Sequence, residues 1–122
     1  MEIERGDFVD AVARLGDSVY SFHERFGLPT VDATDRDPTL EALRRRLALL
    51  SEEIGEHARE LNRANLEDAT SEAIDVAYVA LGTVLTLGYA GRDACYSIAT
   101  KNDAKTLTTH GSRDSTGKVV AR

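Results

Sequence analysis

The sequence predicts an all-α protein: an antiparallel bundle of about four helices, completed by oligomerisation and followed by an irregular basic C-terminal tail. Three observations predict it. Apolar residues recur at alternating three- and four-residue spacing, the repeat of one helix face. Leu and Ala lead an apolar fraction of 42%, with no Trp, which favours helix-to-helix packing over a β-sandwich. Stop and start signals, Gly27 with Pro29, then Asp37-Pro38, then Gly88, bracket the periodic runs.

Asp7 is placed to cap a first helix whose seam is Phe8, Val12, Leu15, Val19, Phe22 and Phe26. Gly27 ends it as the residue just past the C-cap, and Pro29 prevents continuation. Leu28 to Asp37 reads as a polar loop. Asp37 then serves as a capping acid with Pro38 at the first helical position, opening a long helix to about Arg63. Its seam is Leu40, Leu43, Leu47, Leu50, Ile54 and Leu61. A third helix runs from near Leu66 to Leu87 and stops at Gly88. A fourth, weaker one covers roughly Arg92 to Lys105. Residues 106–122 are turn-rich, although Val119 and Val120 suit a short strand or clasp.

A length of 122 residues predicts one domain, 1–122. Cys95 is the only cysteine, so no intrachain disulfide is available and a reducing compartment is expected. The N-terminal segment has acids where a signal peptide needs a basic start. The longest uncharged stretch, Val76 to Gly91, is too short and too rich in Gly and Thr for a membrane span. A cytoplasmic protein with no membrane partner is therefore expected. The formal charge of −6 is uneven: residues 101–122 carry five Lys/Arg and two Asp/Glu, leaving −9 for residues 1–100. An acidic body repels a nucleic-acid backbone, which argues against DNA or RNA as partner. A basic end after it suits closure over a small anion, or simple solvation.

The chemistry lies in carboxylates. Glu53, Glu56 and Glu60 share one stripe of the second helix, with Glu52 beside Glu56. On that helix alone, a solvated acidic face explains them. The third helix carries Glu72 and Asp75 on a stripe with Asp68, Val79, Thr83 and Thr86, and Ile74, Ala77, Leu81 and Leu85 oppose it. A helix apolar on nearly all sides is a buried one, and carboxylates on it are costly without a compensating charge. A short connection near Ala64 and Asn65 makes the two helices antiparallel neighbours. Glu53 and Glu56 then face Glu72 and Asp75, with Arg46 as the one basic residue on either stripe. Mg²⁺ fits such a donor set. Zinc would want His or Cys, and di-iron bundles need Glu-x-x-His, whereas the fourth positions here are Glu56 and Asp75. His23, His57 and His110 are scattered; His57 follows Glu56 and could reach the site, but a surface or core role is the usual one for each. Gly111 to Lys118 imitates a Walker loop but has the wrong spacing, Val119 in place of Ser/Thr, and no preceding strand.

The pattern Glu52-Glu53-x-x-Glu56, a spacer, then Glu72-x-x-Asp75 resembles the signature of the MazG-like all-α NTP pyrophosphohydrolases, a superfamily that includes MazG and phosphoribosyl-ATP pyrophosphohydrolase. The segments VYSFHERFG, YVALGTVLTLG and Lys101-Asn102-x-x-Lys105 resemble its MazG-like branch. The resemblance implies that Glu53, Glu56, Glu72 and Asp75 hold Mg²⁺ or Mn²⁺, two or more ions per site. It implies that Glu52 binds a further metal or a water on it and acts as base, with Glu53 the other catalytic acid. Lys101, Asn102 and Lys105 would hold substrate phosphates, with His23 and Arg46 as candidate substrate contacts. The implied assembly is a homodimer or homotetramer. The implied reaction cuts an NTP or dNTP, of the dUTP, dCTP or dGTP class, to its monophosphate and pyrophosphate. Phosphoribosyl-ATP hydrolysis is the alternative within enzymes, and a non-catalytic helical oligomerisation or regulatory module the alternative outside them.

Overall fold

The helix ends are written into short stretches of sequence, and they set the register of everything that follows. In the computed structural model, which describes residues 1–122, α1 spans Arg5–Arg25, α2 Arg36–Asn62, α3 Leu66–Thr86 and α4 Gly88–Asp103. Gly27 takes φ +62, and the Leu28 and Gly27 amides donate to the His23 and Glu24 carbonyls at 2.9 and 3.2 Å, a Schellman closure of α1. The same motif closes α2 around Ala64 at φ +55, with Asn65 N–H on the Glu60 carbonyl at 3.1 Å. Asn65 then caps α3: its Oδ1 accepts from the Asp68 amide at 3.2 Å while its Nδ2 donates to the Asp68 carboxylate at 2.7 Å.

Three expected starts move. α1 begins at Arg5 with Glu4 as its cap residue, so Asp7 sits in the first turn instead of at the cap. α2 begins at Arg36 with Asp35 as its cap residue, so Pro38 sits inside the first turn, where its missing N–H has no intrahelical partner to lose. α4 begins at Gly88, four residues before the expected Arg92. Gly88 takes φ +61 and lets the chain turn out of α3 without an intervening loop.

By internal contacts the chain falls into two compact units, Met1–Arg92 and Asp93–Arg122. In the first, α3 packs against both α1 and α2. Its buried apolar residues are few: Val19 on α1, with Ala69 and Val79 on α3. His23 and Thr86 are buried with them. A Ser18–Tyr78 hydroxyl pair at 3.1 Å and an edge-on Phe22–Tyr78 contact join α1 to α3.

The leucine seam of α2 is only partly where the sequence puts it: Leu40 and Leu50 are half-buried, and the rest is exposed. The half-buried residues of α2 are Thr39, Leu40, Ala42, Arg46, Leu50, Glu53, His57 and Glu60. Leu47, Ile54 and Leu61 are 62%, 49% and 55% exposed. The physical reason is that α1 packs on α3 and not on α2, so the rest of the apolar seam of α2 has no cover within this unit. No single helix is long and apolar enough to cross a membrane.

In the second unit the expected irregular tail is instead a small hairpin. Strand β1 (His110–Ser112) pairs antiparallel with β2 (Val119–Ala121), Gly111 opposite Val120. The Walker-like Gly111–Lys118 run is the end of β1 and its turn, closed by Arg113 N–H to the Lys118 carbonyl at 2.7 Å, with Gly117 at φ +71. Arg122 Nε fastens the hairpin to the Leu107 and His110 carbonyls at 2.9 and 3.0 Å.

The α3–α4 corner yields a test of this packing. A Cβ on Gly91 would run into the Val84 carbonyl, which is backbone and cannot yield. Alanine is the better helix former by about 1 kcal/mol, yet Gly91→Ala should destabilise the protein, by about 1–3 kcal/mol in line with other overpacked sites. Thermal melting checks this; a higher melting temperature for the variant would contradict the corner.

Candidate active site

On both α2 and α3 the acids stand one turn apart, so each helix presents two carboxylates on one face. Antiparallel packing brings the faces together. Carboxylate oxygens of Glu53, Glu56 and Glu72 lie within 4.8 Å of one another. Asp75 stands beside them, close enough for its charge to act on both Glu53 and Glu72. Glu53 and Glu72 are half-buried, Glu56 and Asp75 exposed. Glu52 is an exposed neighbour whose charge reaches Glu53 but whose oxygens stay outside the close group.

No cation of the protein neutralises this group. The ion pairs, Arg36–Asp37, Arg45–Glu41 and Arg63–Glu60, include none of the four acids. Arg46, the basic residue expected to serve them, is turned to α3, with its Nε on Thr83 Oγ1 at 3.1 Å and a terminal nitrogen on the Val79 carbonyl at 2.6 Å. Desolvation first, then the surrounding carboxylates, push the Glu53 and Glu72 acids above the usual glutamate range. Glu72 Oε2 is buried and has no hydrogen-bond partner. A buried acceptor oxygen without a donor, inside a ring of anionic oxygens, is the environment a hard divalent cation such as Mg²⁺ or Mn²⁺ would satisfy. The absence of His and Cys from the group fits Mg²⁺ or Mn²⁺ better than zinc.

A cavity of about 290 Å³ opens beside the acids, with Glu53 and Asp75 in its wall and Phe22, Tyr78, His23 and Arg46 around it. His23 is buried and its Nδ1 has no partner. Burial, then the Arg46 charge, lowers its pKa and keeps the ring neutral. Lys101, Asn102 and Lys105 belong to the second unit. Asn102 Nδ2 donates to the Ile98 carbonyl at 2.9 Å, and Lys105 Nζ donates to Asn102 Oδ1 at 2.9 Å. Asn102 and Lys105 line a cavity of about 530 Å³ with His110 and Ser112.

Sequence reasoning misses Gly82 and leaves the role of His57 open. His57 is no bystander, since its Nδ1 donates to the Ala69 carbonyl of α3 at 2.9 Å. Gly82 is buried because a Cβ there would collide with the Arg46 guanidinium and lie 2.8 Å from His23 Nε2. A glycine in the middle of an otherwise strong helix costs about 1 kcal/mol against Ala, and that local cost is the signal that would have found it.

The fold and this group together define an all-α protein with a carboxylate cluster shared by two antiparallel helices. Residues 19–102 match the family model described as phosphoribosyl-ATP pyrophosphohydrolase, and the chain belongs to that family, within the MazG-like all-α superfamily. It is thus a nucleotide pyrophosphohydrolase, a hydrolase of phosphoanhydride bonds. The match takes in all five acids and ends at Asn102, short of Lys105 and the hairpin. No curated protein and no solved structure matches.

The raised acids give a prediction with a definite sign. A carboxyl whose folded-state pKa lies above the ordinary 4.5 stabilises the fold fully below the unfolded value, and loses that contribution as pH rises through the folded one. Neutral, buried His23 works in the opposite direction as pH falls through its ordinary 6.5, so a variant comparison is needed. Glu72→Gln, a mimic of the protonated acid, should raise the melting temperature of metal-free protein at about pH 7.5 and change little at about pH 4.5. A variant equally or more destabilised at the higher pH would contradict the repulsion.

Proposed function

We propose that this chain hydrolyses a nucleoside triphosphate to the monophosphate and pyrophosphate with Mg²⁺ or Mn²⁺ held by Glu53, Glu56, Glu72 and Asp75. The observation that carries the reading is the buried, partnerless Glu72 oxygen inside a group of acids that no Lys or Arg neutralises. When bound, two or more such ions would neutralise the polyphosphate and favour attack by water. Glu52, exposed next to Glu53, would take the water's proton. Lys101, Asn102 and Lys105 would hold phosphates, the Asn102 amide orienting the Lys105 ammonium.

The 290 Å³ cavity would take the nucleoside, its base against the Phe22 and Tyr78 rings and in reach of His23 Nδ1 and Arg46. Its size lies at the lower edge of the roughly 300–1,000 Å³ usual for small-molecule sites. That favours a plain dNTP, of the dUTP, dCTP or dGTP class, over a base carrying a second phosphoribosyl group. Phosphoribosyl-ATP is the second reading, favoured by the family model. The whole chain would act as one such domain in a homo-oligomer, because Leu47, Ile54 and Leu61 on α2, and Phe8 and Val12 on α1, are exposed apolar seams that a second copy would cover.

Asp75→Asn tests the reading, beside a panel of dNTPs, NTPs and phosphoribosyl-ATP assayed for released pyrophosphate. The variant should lose at least the 10–100-fold that disturbing a metal's outer shell costs, while its metal-free melting temperature stays level or rises. The rise in melting temperature given by Mn²⁺ should shrink with it. A destabilised but active Asp75→Asn would sink the metal reading.

A further inference from the structure

The two bonds that cross from α2 side chains to α3 carbonyls have the carboxylates between them. His57 Nδ1 donates to the Ala69 carbonyl at 2.9 Å, and Arg46 donates to the Val79 carbonyl at 2.6 Å and to Thr83 Oγ1 at 3.1 Å. On α2, Glu53 and Glu56 lie between Arg46 and His57. On α3, Glu72 and Asp75 lie between Ala69 and Val79. Each carbonyl already serves its own helix and has a second lone pair to offer. Ala69 is 3% exposed and Val79 8%, so both bonds are made where water competes little.

Apart from the short turn at Ala64 and Asn65, apolar packing does little near the carboxylates to fix how α2 slides along α3. Of the half-buried α2 residues Thr39, Leu40, Ala42, Arg46, Leu50, Glu53, His57 and Glu60, only Leu40, Ala42 and Leu50 are apolar, and none of the three lies beyond Leu50 toward the carboxylates. Interdigitating side chains normally set helix register; here the stripe is mostly polar, and its two acids meet two more acids across the interface. Repulsion among them acts to part the helices at the site itself.

We propose that His57 is a positioning residue of the metal site: with Arg46 it clamps α2 to α3 on either side of the carboxylates and holds them at ligating spacing before any cation arrives. The inference rests on the metal reading above and adds the residue that prepares the site. His57 does not touch metal or substrate; it acts through the spacing of Glu53 and Glu56 from Glu72. Arg46 forms the other clamp, and Gly82 leaves room for its guanidinium to cross α3.

The test is Mn²⁺ binding without nucleotide, followed by the electron paramagnetic resonance of free Mn²⁺, on wild type, His57→Leu and His57→Asn. Leucine fills the space without a donor, whereas the asparagine amide nitrogen stands where Nδ1 stood. His57→Leu should weaken Mn²⁺ about tenfold or more, as loss of an outer-shell partner does, and His57→Asn should recover most of it. With nucleotide, the metal concentration for half-maximal rate should rise by the same factor in His57→Leu, and kcat at saturating metal should stay near wild type. Wild-type affinity in His57→Leu, or equal loss in both variants, overturns the clamp and leaves the metal site standing. A wild type that binds no Mn²⁺ overturns both. Should His57→Leu not fold, His57→Asn against His57→Gln decides, because the glutamine amide lies beyond the Nδ1 position; equal affinities overturn the proposal.

Discussion

Four carboxylates facing one another across the α2–α3 interface, with no basic side chain among them, are the constraint on which the rest of this structure depends. Like charges at this spacing oppose packing, and burial of Glu72 Oε2 without a donor adds a desolvation cost. The sequence around them answers that cost locally. Asn65 and the Ala64 turn fix where α3 begins relative to the end of α2. Side-chain bonds from His57 and Arg46 then fasten α2 to α3 at two points. Gly82 gives up helix propensity so that Arg46 and His23 can lie against α3. These choices are hard to explain as devices for stability alone, since an apolar interface would serve that end better.

The same constraint accounts for the placement of apolar residues. Because the α3-facing stripe of α2 is given mostly to polar side chains, most of the leucine seam of that helix lies elsewhere and is exposed. In a self-sufficient monomer such a seam would be a liability. Covered by a second copy, it would supply the burial that the three buried apolar residues of this chain do not. The carboxylate cluster and the proposed assembly would then both follow from which face of α2 meets α3.

Much of this was legible in the sequence. The end of α1 at Gly27 follows from glycine's freedom at positive φ, and the convergence of Glu53, Glu56 and Glu72 follows from three-residue spacing on two adjacent helices. Those are local or nearest-neighbour facts. The facing stripe of α2 was misjudged because periodicity marks an apolar face without saying what covers it, and here α1 chooses α3. The role of His57 stayed open because one imidazole on a polar stripe looks alike whether solvated or bonded to a carbonyl twelve residues on. The hairpin was only half visible: Val119 and Val120 suggested a strand, but its partner, His110–Ser112, has no β-pattern of its own and is set by pairing and by Arg122. Lys101, Asn102 and Lys105 were singled out by their one-turn spacing after the apolar helix and then by resemblance, and the one local bond among them is Lys105 to Asn102.

Crystals of the protein soaked in Mn²⁺ and measured for anomalous scattering address the central claim most directly. The account predicts at least one strong anomalous peak within coordination distance of Glu53, Glu56 and Glu72, about 2.0–2.2 Å from their oxygens as for small hard dications, with Glu72 Oε2 among the ligands. No peak there at saturating Mn²⁺, with the four carboxylates in their metal-free arrangement, would contradict it.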